Sequence, residues 1–181
     1  MFIQSIPEKV CDPVTGLRAN NETELSALFS YFHSMGLIDW KKVNLYPLPY
    51  QSSKHCASEL IDSSIPFFCE YPLFSNAETM DMWGQMPADL LCFTGKGSKI
   101  ILIENKIGSK FTSGGTQLMR QAKYLECTHF KNRNLIVLTS ELFLTKGWYL
   151  KEMQEVVDKV KGVNLYALLW EEIFGSIKHR C

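Results

Sequence analysis

Two apolar segments near the middle of the chain are flanked by charged side chains that could form a catalytic site. Asp89 precedes the segment 90–93, and Glu104 and Lys106 follow the segment 100–103. Two carboxylates held close together repel each other and favour a divalent cation, and their oxygens select the hard ions Mg2+ and Mn2+. Such an ion acidifies a bound water, and the Lys106 ammonium could position that water or stabilise charge on a phosphate under attack.

A hairpin is the element that would bring these charges together. Both segments have the composition of strands, and residues 94–98, which include two glycines, form a turn between them. Folding at this turn places Asp89 beside Glu104 across the sheet. Because side chains alternate along a strand, we expect Glu104 and Lys106 to project from the same face.

The rest of the chain alternates helices and strands. Asn21 is suited to cap a helix that ends near Gly36, because Glu24, three residues later, completes a capping box. Further helices are predicted over 117–125, 148–161 and 170–178, and further strands over 66–72, 135–139 and 163–169. Residues 40–64 and the Gly114-Gly115 pair read as loops, the former with a short helix around 58–62. This order predicts an α/β domain with a mixed sheet.

The charged motif resembles that of a known family. Pro87-Ala88-Asp89, followed after fourteen residues by Glu104-Asn105-Lys106, is similar to the PD-(D/E)XK nuclease superfamily, with Pro-Ala-Asp in place of Pro-Asp. The resemblance covers about residues 22–175 and includes a glutamine-bearing helix after Lys106 and a helix led by Trp170. It implies a restriction-endonuclease-like core, with a mixed central β-sheet flanked by helices on both faces. The whole chain, 1–181, would form one domain with an irregular segment over 1–20.

The resemblance also implies an activity and a set of site residues. The activity is that of a Mg2+-dependent nuclease, with Mn2+ as a possible substitute, which hydrolyses phosphodiester bonds, expected in DNA, with a metal-activated water. Asp89, Glu104 and Glu22 would bind the metal, and Lys106 would assist the water; Glu24 is the alternative third carboxylate. Polar side chains on or before the glutamine-bearing helix could contact substrate or support the site: Gln117, Gln121, Lys110, Arg120 and Lys123.

Each of these assignments has a structural alternative. Asp89 could bond its own backbone at the start of a strand, and Asp81 is a competing acid in a connecting loop. An acidic residue in the first turn of a helix, such as Glu22, is favoured by the helix dipole without any catalytic role. We expect the tryptophans Trp83, Trp148 and Trp170 in the core and not as platforms for bases.

Charge is distributed unevenly along the chain. The formal net charge is zero, yet residues 90–135 carry 8 basic and 2 acidic side chains. This segment could bind a polyanion or could be a solvated face. The alternative function is a catalytically inactive module with the same fold that binds nucleic acid or a protein partner. The compact length, with no appended recognition domain evident, suggests a homodimer or a partner protein.

Composition favours a soluble globular protein. The hydrophobic fraction is 46% and the charged fraction 21%, both ordinary values for that class. No apolar run approaches the roughly 20 residues that a membrane span needs, and the first residues lack the pattern of a signal peptide. No two of the six cysteines form a CxxC pair. We therefore expect a cytoplasmic protein with reduced thiols and no membrane association.

Overall fold

A computed structural model of the chain describes residues 21–48, 53–73, 87–106, 112–144 and 147–178. Its strands are β1 (Asn44–Pro47), β2 (His55–Cys56), β3 (Phe68–Pro72), β4 (Pro87–Phe93), β5 (Lys99–Lys106), β6 (Asn132–Thr139) and β7 (Asn164–Leu169). Its helices are α1 (Glu22–Ser34), α2 (Thr112–Glu126), α3 (Glu141–Leu144), α4 (Gly147–Lys159) and α5 (Trp170–Ser176). Within these ranges, no helix combines the length and the apolar character that a bilayer crossing requires.

The strands form one mixed sheet in the order β2-β1-β7-β6-β5-β4-β3. The central strands β5, β6 and β7 are parallel, and the strands outside them are antiparallel to their neighbours. The central strands are apolar on both sides because helices cover both faces of the sheet. The prediction of an α/β fold with a mixed sheet is therefore confirmed, as is the hairpin of β4 and β5.

The helices divide the core into two layers. Helices α1 and α5 cover one face of the sheet, called here the α1 face, and helices α2 and α4 cover the other, called the α2 face. In β5, Ile103 packs on the α1 face and Leu102 on the α2 face. The same alternation places Glu104 and Lys106 on the α2 face and Asn105 on the α1 face.

Helix α1 is capped as its sequence predicts. Asn21 Oδ1 accepts a hydrogen bond from the Glu24 N–H at 2.8 Å, and Asn21 Nδ2 donates to Glu24 Oε1 at 3.2 Å. At the other end, Gly36 has a φ of 65°, and the Leu37 N–H donates to the Phe32 carbonyl at 2.9 Å. This left-handed conformation is one that glycine adopts readily. Both ends of the helix are therefore encoded locally.

The prediction of a loop over 40–64 is wrong. This segment contains β1 and β2, and it has a 3-10 turn over Ala57–Glu59 in place of the short helix expected around 58–62. Strand β1 has only four residues, which is too short for its composition to predict a strand. Its stabilisation comes from pairing with β7 along most of its length.

The prediction of a loop at Gly114-Gly115 is also wrong, since both glycines lie inside α2. Glycine inside a helix costs about 1 kcal/mol relative to alanine. Burial of Leu118, Ala122 and Leu125 against the α2 face offsets this cost. The short helix α3 had no counterpart among the predicted elements.

Candidate active site

The end of the β4–β5 hairpin places Asp89 against the backbone of β5. The antiparallel pairing runs from Phe93 and Ile100 to Leu90 and Ile103. One residue further along, Asp89 Oδ2 accepts a hydrogen bond from the Asn105 N–H at 2.7 Å. The Asp89 carboxylate thus takes the place of a backbone acceptor where the pairing of β4 and β5 ends. Asp89 lies beside Glu104, as the hairpin predicts.

Glu104 is fully buried and both of its oxygens have partners. Its Oε1 lies 2.9 Å from Lys106 Nζ and accepts a hydrogen bond from Gln117 Nε2 at 2.6 Å. Its Oε2 accepts a hydrogen bond from Gln121 Nε2 at 2.5 Å. Glu104 and Lys106 therefore share a face, as expected. Of the side chains predicted to contact substrate or support the site, Gln117 and Gln121 both reach Glu104.

Glu22, in the first turn of α1, approaches the same lysine. Its Oε2 lies 3.5 Å from Lys106 Nζ, and the lysine side chain is only 9% exposed. Glu24 instead forms the reciprocal cap with Asn21 described above. Of the two alternatives for the third carboxylate, the structure brings Glu22 to Lys106.

Asn105 joins β5 to α1 on the opposite face of the sheet. Its Oδ1 accepts a hydrogen bond from Trp170 Nε1 at 3.0 Å. Its Nδ2 donates to the Glu22 carbonyl at 3.1 Å and to Ser26 Oγ at 3.2 Å. The amide group of Asn105 thus holds the start of α1, and with it Glu22, at the end of β5, while Trp170 of α5 fixes the orientation of that amide.

Burial and mutual repulsion shift the protonation of the acids. Burial, followed by the charge of Glu104, raises the pKa of Asp89 to about 7. Burial also raises the pKa of Glu104, although Lys106 and Gln121 oppose the change. Burial alone would lower the pKa of Lys106, but the surrounding carboxylates, Glu104 above all, outweigh it and raise that pKa. The site therefore holds a charged ammonium among acids that resist losing their protons together.

The donor chemistry of Asp89, Glu104 and Glu22 suits a hard cation, since all three supply carboxylate oxygens. Among the residues that the structure describes, however, no group of three acidic, histidine or cysteine side chains is arranged to hold a metal. Lys106 contacts both Glu22 and Glu104, and thus takes a position that a cation would use. A metal would have to replace the ammonium at one of these carboxylates.

The remaining predicted residues lie apart from this cluster or outside the described residues. Lys123 forms an ion pair with Glu126 at 3.3 Å near the end of α2. Arg120 is partly buried, and its Nε has no hydrogen-bond partner in the described part of the chain. Three positions lie outside the described residues: Asp81, Trp83 and Lys110. The prediction that Trp170 lies in the core is confirmed, because this first residue of α5 is buried against Phe29 of α1.

Two polar residues near the site were not singled out by sequence reasoning. Glu70 lies opposite Asp89 in the β3–β4 register, with a φ of 48°, and its charge adds to the rise in the pKa of Asp89. Thr139 is the Cα partner of Lys106 in β6, and its buried hydroxyl has no hydrogen-bond partner among the described residues. Thr139 could have been found from the sequence, because it is a polar residue at the end of an apolar strand.

No family model matches the sequence, and no curated protein or solved structure is significantly similar to it. The resemblance to the PD-(D/E)XK superfamily therefore stays a prediction. The case for a function rests on the contacts among Asp89, Glu104, Lys106 and Glu22.

Proposed function

We propose that the protein is a Mg2+-dependent nuclease that hydrolyses phosphodiester bonds, with DNA as the expected substrate. The observation that carries the proposal is the buried ion pair of Glu104 and Lys106 at 2.9 Å, next to the half-buried Asp89 carboxyl. Additional carboxylates around one buried ion pair repel each other and cost stability. Their presence therefore indicates a role other than stabilising the fold. Perturbed acids grouped in this way are typical of functional sites.

The side chains divide into metal-binding and supporting roles. Asp89, Glu104 and Glu22 would hold Mg2+, which when bound supplies Lewis acidity and an acidified water. Lys106 is the cation that contacts Glu104 and Glu22, and it would hold that water or a phosphate oxygen on which negative charge develops. Gln117 and Gln121 each donate to a different oxygen of Glu104 and so fix the plane of its carboxylate.

The charge distribution supports a nucleic-acid substrate. Residues 90–135, with 8 basic and 2 acidic side chains, include β5 and α2, the elements that carry Glu104 and its two glutamines. Positive charge next to a catalytic cluster attracts a phosphate backbone and holds it through contacts that do not depend on base sequence.

A cleavage assay with supercoiled plasmid and labelled oligonucleotides tests the proposal, in Mg2+, Mn2+ or EDTA. Lys106→Ala and Glu104→Gln should each lower the rate by at least about 100-fold. Lys159→Ala is the matched control, because Lys159 forms an exposed ion pair with Glu155 on α4. Equal cleavage by Lys106→Ala and the parent protein would overturn the proposal.

One observation favours the inactive module. Both oxygens of Glu104 already have partners in Lys106, Gln117 and Gln121, so this carboxylate needs no metal to be satisfied. Such a module would bind nucleic acid or protein equally well in EDTA. Calorimetry that detects no Mg2+ binding, together with no cleavage of any substrate, would select this alternative.

A further inference from the structure

Four aromatic rings, two of them exposed and two partly buried, lie together at the outer strands of the sheet. This aromatic surface consists of Phe68, Tyr71, Phe93 and Phe130. Phe68 and Phe93 are 43% and 37% exposed and stack with centroids 5.7 Å apart and planes inclined by 24°. Tyr71 contacts both rings, and Phe130 contacts Phe93. Single exposed apolar residues are ordinary in proteins, but two exposed rings that stack on each other and continue into partly buried rings indicate a binding surface.

The aromatic surface lies on the same face of the sheet as Glu104 and Lys106. In the register of β3 and β4, Phe68 pairs with Leu91 and Tyr71 pairs with Ala88. Leu91 and Ala88 both pack on the α2 face, so their cross-strand partners lie there too. Phe93 is four residues from Asp89 along β4, a distance of about 13 Å in an extended strand. A few nucleotides would span this interval.

An exposed lysine lies close to the Phe93 end of the aromatic surface, whereas Glu70 lies between Phe68 and Tyr71 in β3. Phe93 and Phe130 both belong to the basic segment 90–135. The exposed Lys131 follows Phe130, and its N–H donates to the Gly97 carbonyl at 3.1 Å, which places it at the turn beyond Phe93. A basic side chain beside exposed aromatic rings is a feature of surfaces that bind single-stranded nucleic acid.

We propose that the aromatic surface stacks on unpaired bases, so that the protein takes single-stranded nucleic acid or a strand with an unpaired end. The inference about cleavage rests on the proposed function, whereas binding can be tested without it. In an intact duplex the base faces are already stacked on one another and cannot reach Phe68 or Phe93.

A second copy of the chain is a less suitable occupant. β3 is an edge strand, and edge strands can pair with another chain. The left-handed backbone of Glu70 and the ring of Pro72 interrupt the continuous ladder that such pairing needs. Self-association here would also bring two copies of the basic segment together.

Fluorescence anisotropy with a short labelled oligothymidylate in EDTA measures the binding directly. Phe68→Ala and Phe93→Ala should each weaken binding about tenfold. Phe93→Tyr keeps an aromatic face and should bind as tightly as the parent protein. Met35→Ala is the matched control, because Met35 is 42% exposed and lies at the end of α1. All these positions are exposed, so thermal melts should show that each variant folds.

An abasic oligonucleotide of equal length separates stacking from charge. The parent should bind it more weakly than oligothymidylate, and Phe93→Ala should have no further effect on it. Lys131→Ala should reduce the dependence of affinity on salt, whereas Phe93→Ala should leave that slope unchanged. Equal loss of affinity on both oligonucleotides would overturn the proposal.

The outcomes also separate this inference from the proposed nuclease. If the parent cleaves and Phe93→Ala binds and cleaves equally well, the aromatic surface has no role and the nuclease stands. If Phe93→Ala loses binding but no protein cleaves, the surface stands and the nuclease does not. A parent dimer in analytical ultracentrifugation that Phe93→Ala converts to monomer would overturn the inference in favour of a second copy.

Discussion

The Asn105 N–H donates to Asp89 Oδ2 at 2.7 Å, while the side chain of the same asparagine binds the first turn of α1. One residue between Glu104 and Lys106 is therefore connected to both of the other carboxylate-bearing elements. Asn105 touches no reacting group in the proposed mechanism. It acts as a positioning residue, because displacing it would move Asp89 and Glu22 relative to Lys106.

Trp170→Phe should weaken the attachment of α1. The substitution leaves Oδ1 of the buried Asn105 without its donor, so we expect the free energy of unfolding to fall by about 1–3 kcal/mol. Phenylalanine keeps a ring in contact with Phe29 and Phe174, which limits the loss of packing. Urea denaturation measures the change, and unaltered stability would contradict the role given to this hydrogen bond.

Gln121→Leu should destabilise the ionised form of Glu104. Without the donor to Oε2, the pKa of Glu104 should rise further, and the acid limb of the pH–rate profile should move to higher pH. The loss of stability should be greater at about pH 8 than at about pH 5, where Glu104 is more protonated. Gln154→Leu is the control, because Gln154 donates to Asp158 on an exposed helix surface. A profile that does not move would show that Gln121 only fills space.

Stability in EDTA should fall as pH rises from about 4 to about 7. Folding raises the pKa of Asp89 from 3.8 to about 7, so in this range the folded state binds more protons than the unfolded state. Glu104 contributes with the same sign. Asp89→Asn should flatten the dependence, and Mg2+ should restore stability in the parent at about pH 8 if it binds the ionised acids.

Asp62→Asn provides the matched control for this pH dependence. Hydrogen bonds from Ser64 lower the pKa of the exposed Asp62, so above about pH 5 it is ionised in both the folded and unfolded states. Its removal should leave the slope between about pH 5 and about pH 8 unchanged. A parent protein that gains stability over this range would contradict the burial of Asp89.

Thr139→Val should raise the free energy of unfolding by about 1 kcal/mol. Valine has the same shape and removes a buried hydroxyl that has no hydrogen-bond partner among the described residues. Thr128→Val should have the opposite effect, because the Thr128 hydroxyl donates to the Leu125 carbonyl at 2.7 Å. If Thr139→Val is destabilising in thermal melts, the hydroxyl has a partner beside Lys106, such as a bound water.

The parts of the site that could be predicted are those encoded by neighbouring residues. The turn at 94–98 and the alternation of side chains were enough to pair Asp89 with Glu104 and to place Lys106 on the face of Glu104. The contacts of Asn105 could not be predicted, because its partners lie 83 residues away at Glu22 and 65 residues away at Trp170. Such contacts depend on how the layers stack, which local periodicity does not encode.

The same long separations give the site a place in the order of folding. Contacts across many residues form late, because the entropy of closing the intervening loops must be overcome before they stabilise the chain. During synthesis, α1 leaves the ribosome long before Trp170 exists to donate to Asn105. Newly made α1 therefore lacks the contacts of Trp170 with Asn105 and Phe29 until β7 and α5 have been made. The local hairpin can bring Asp89 and Glu104 together before then, and Glu22 joins them only when α1 packs on the sheet.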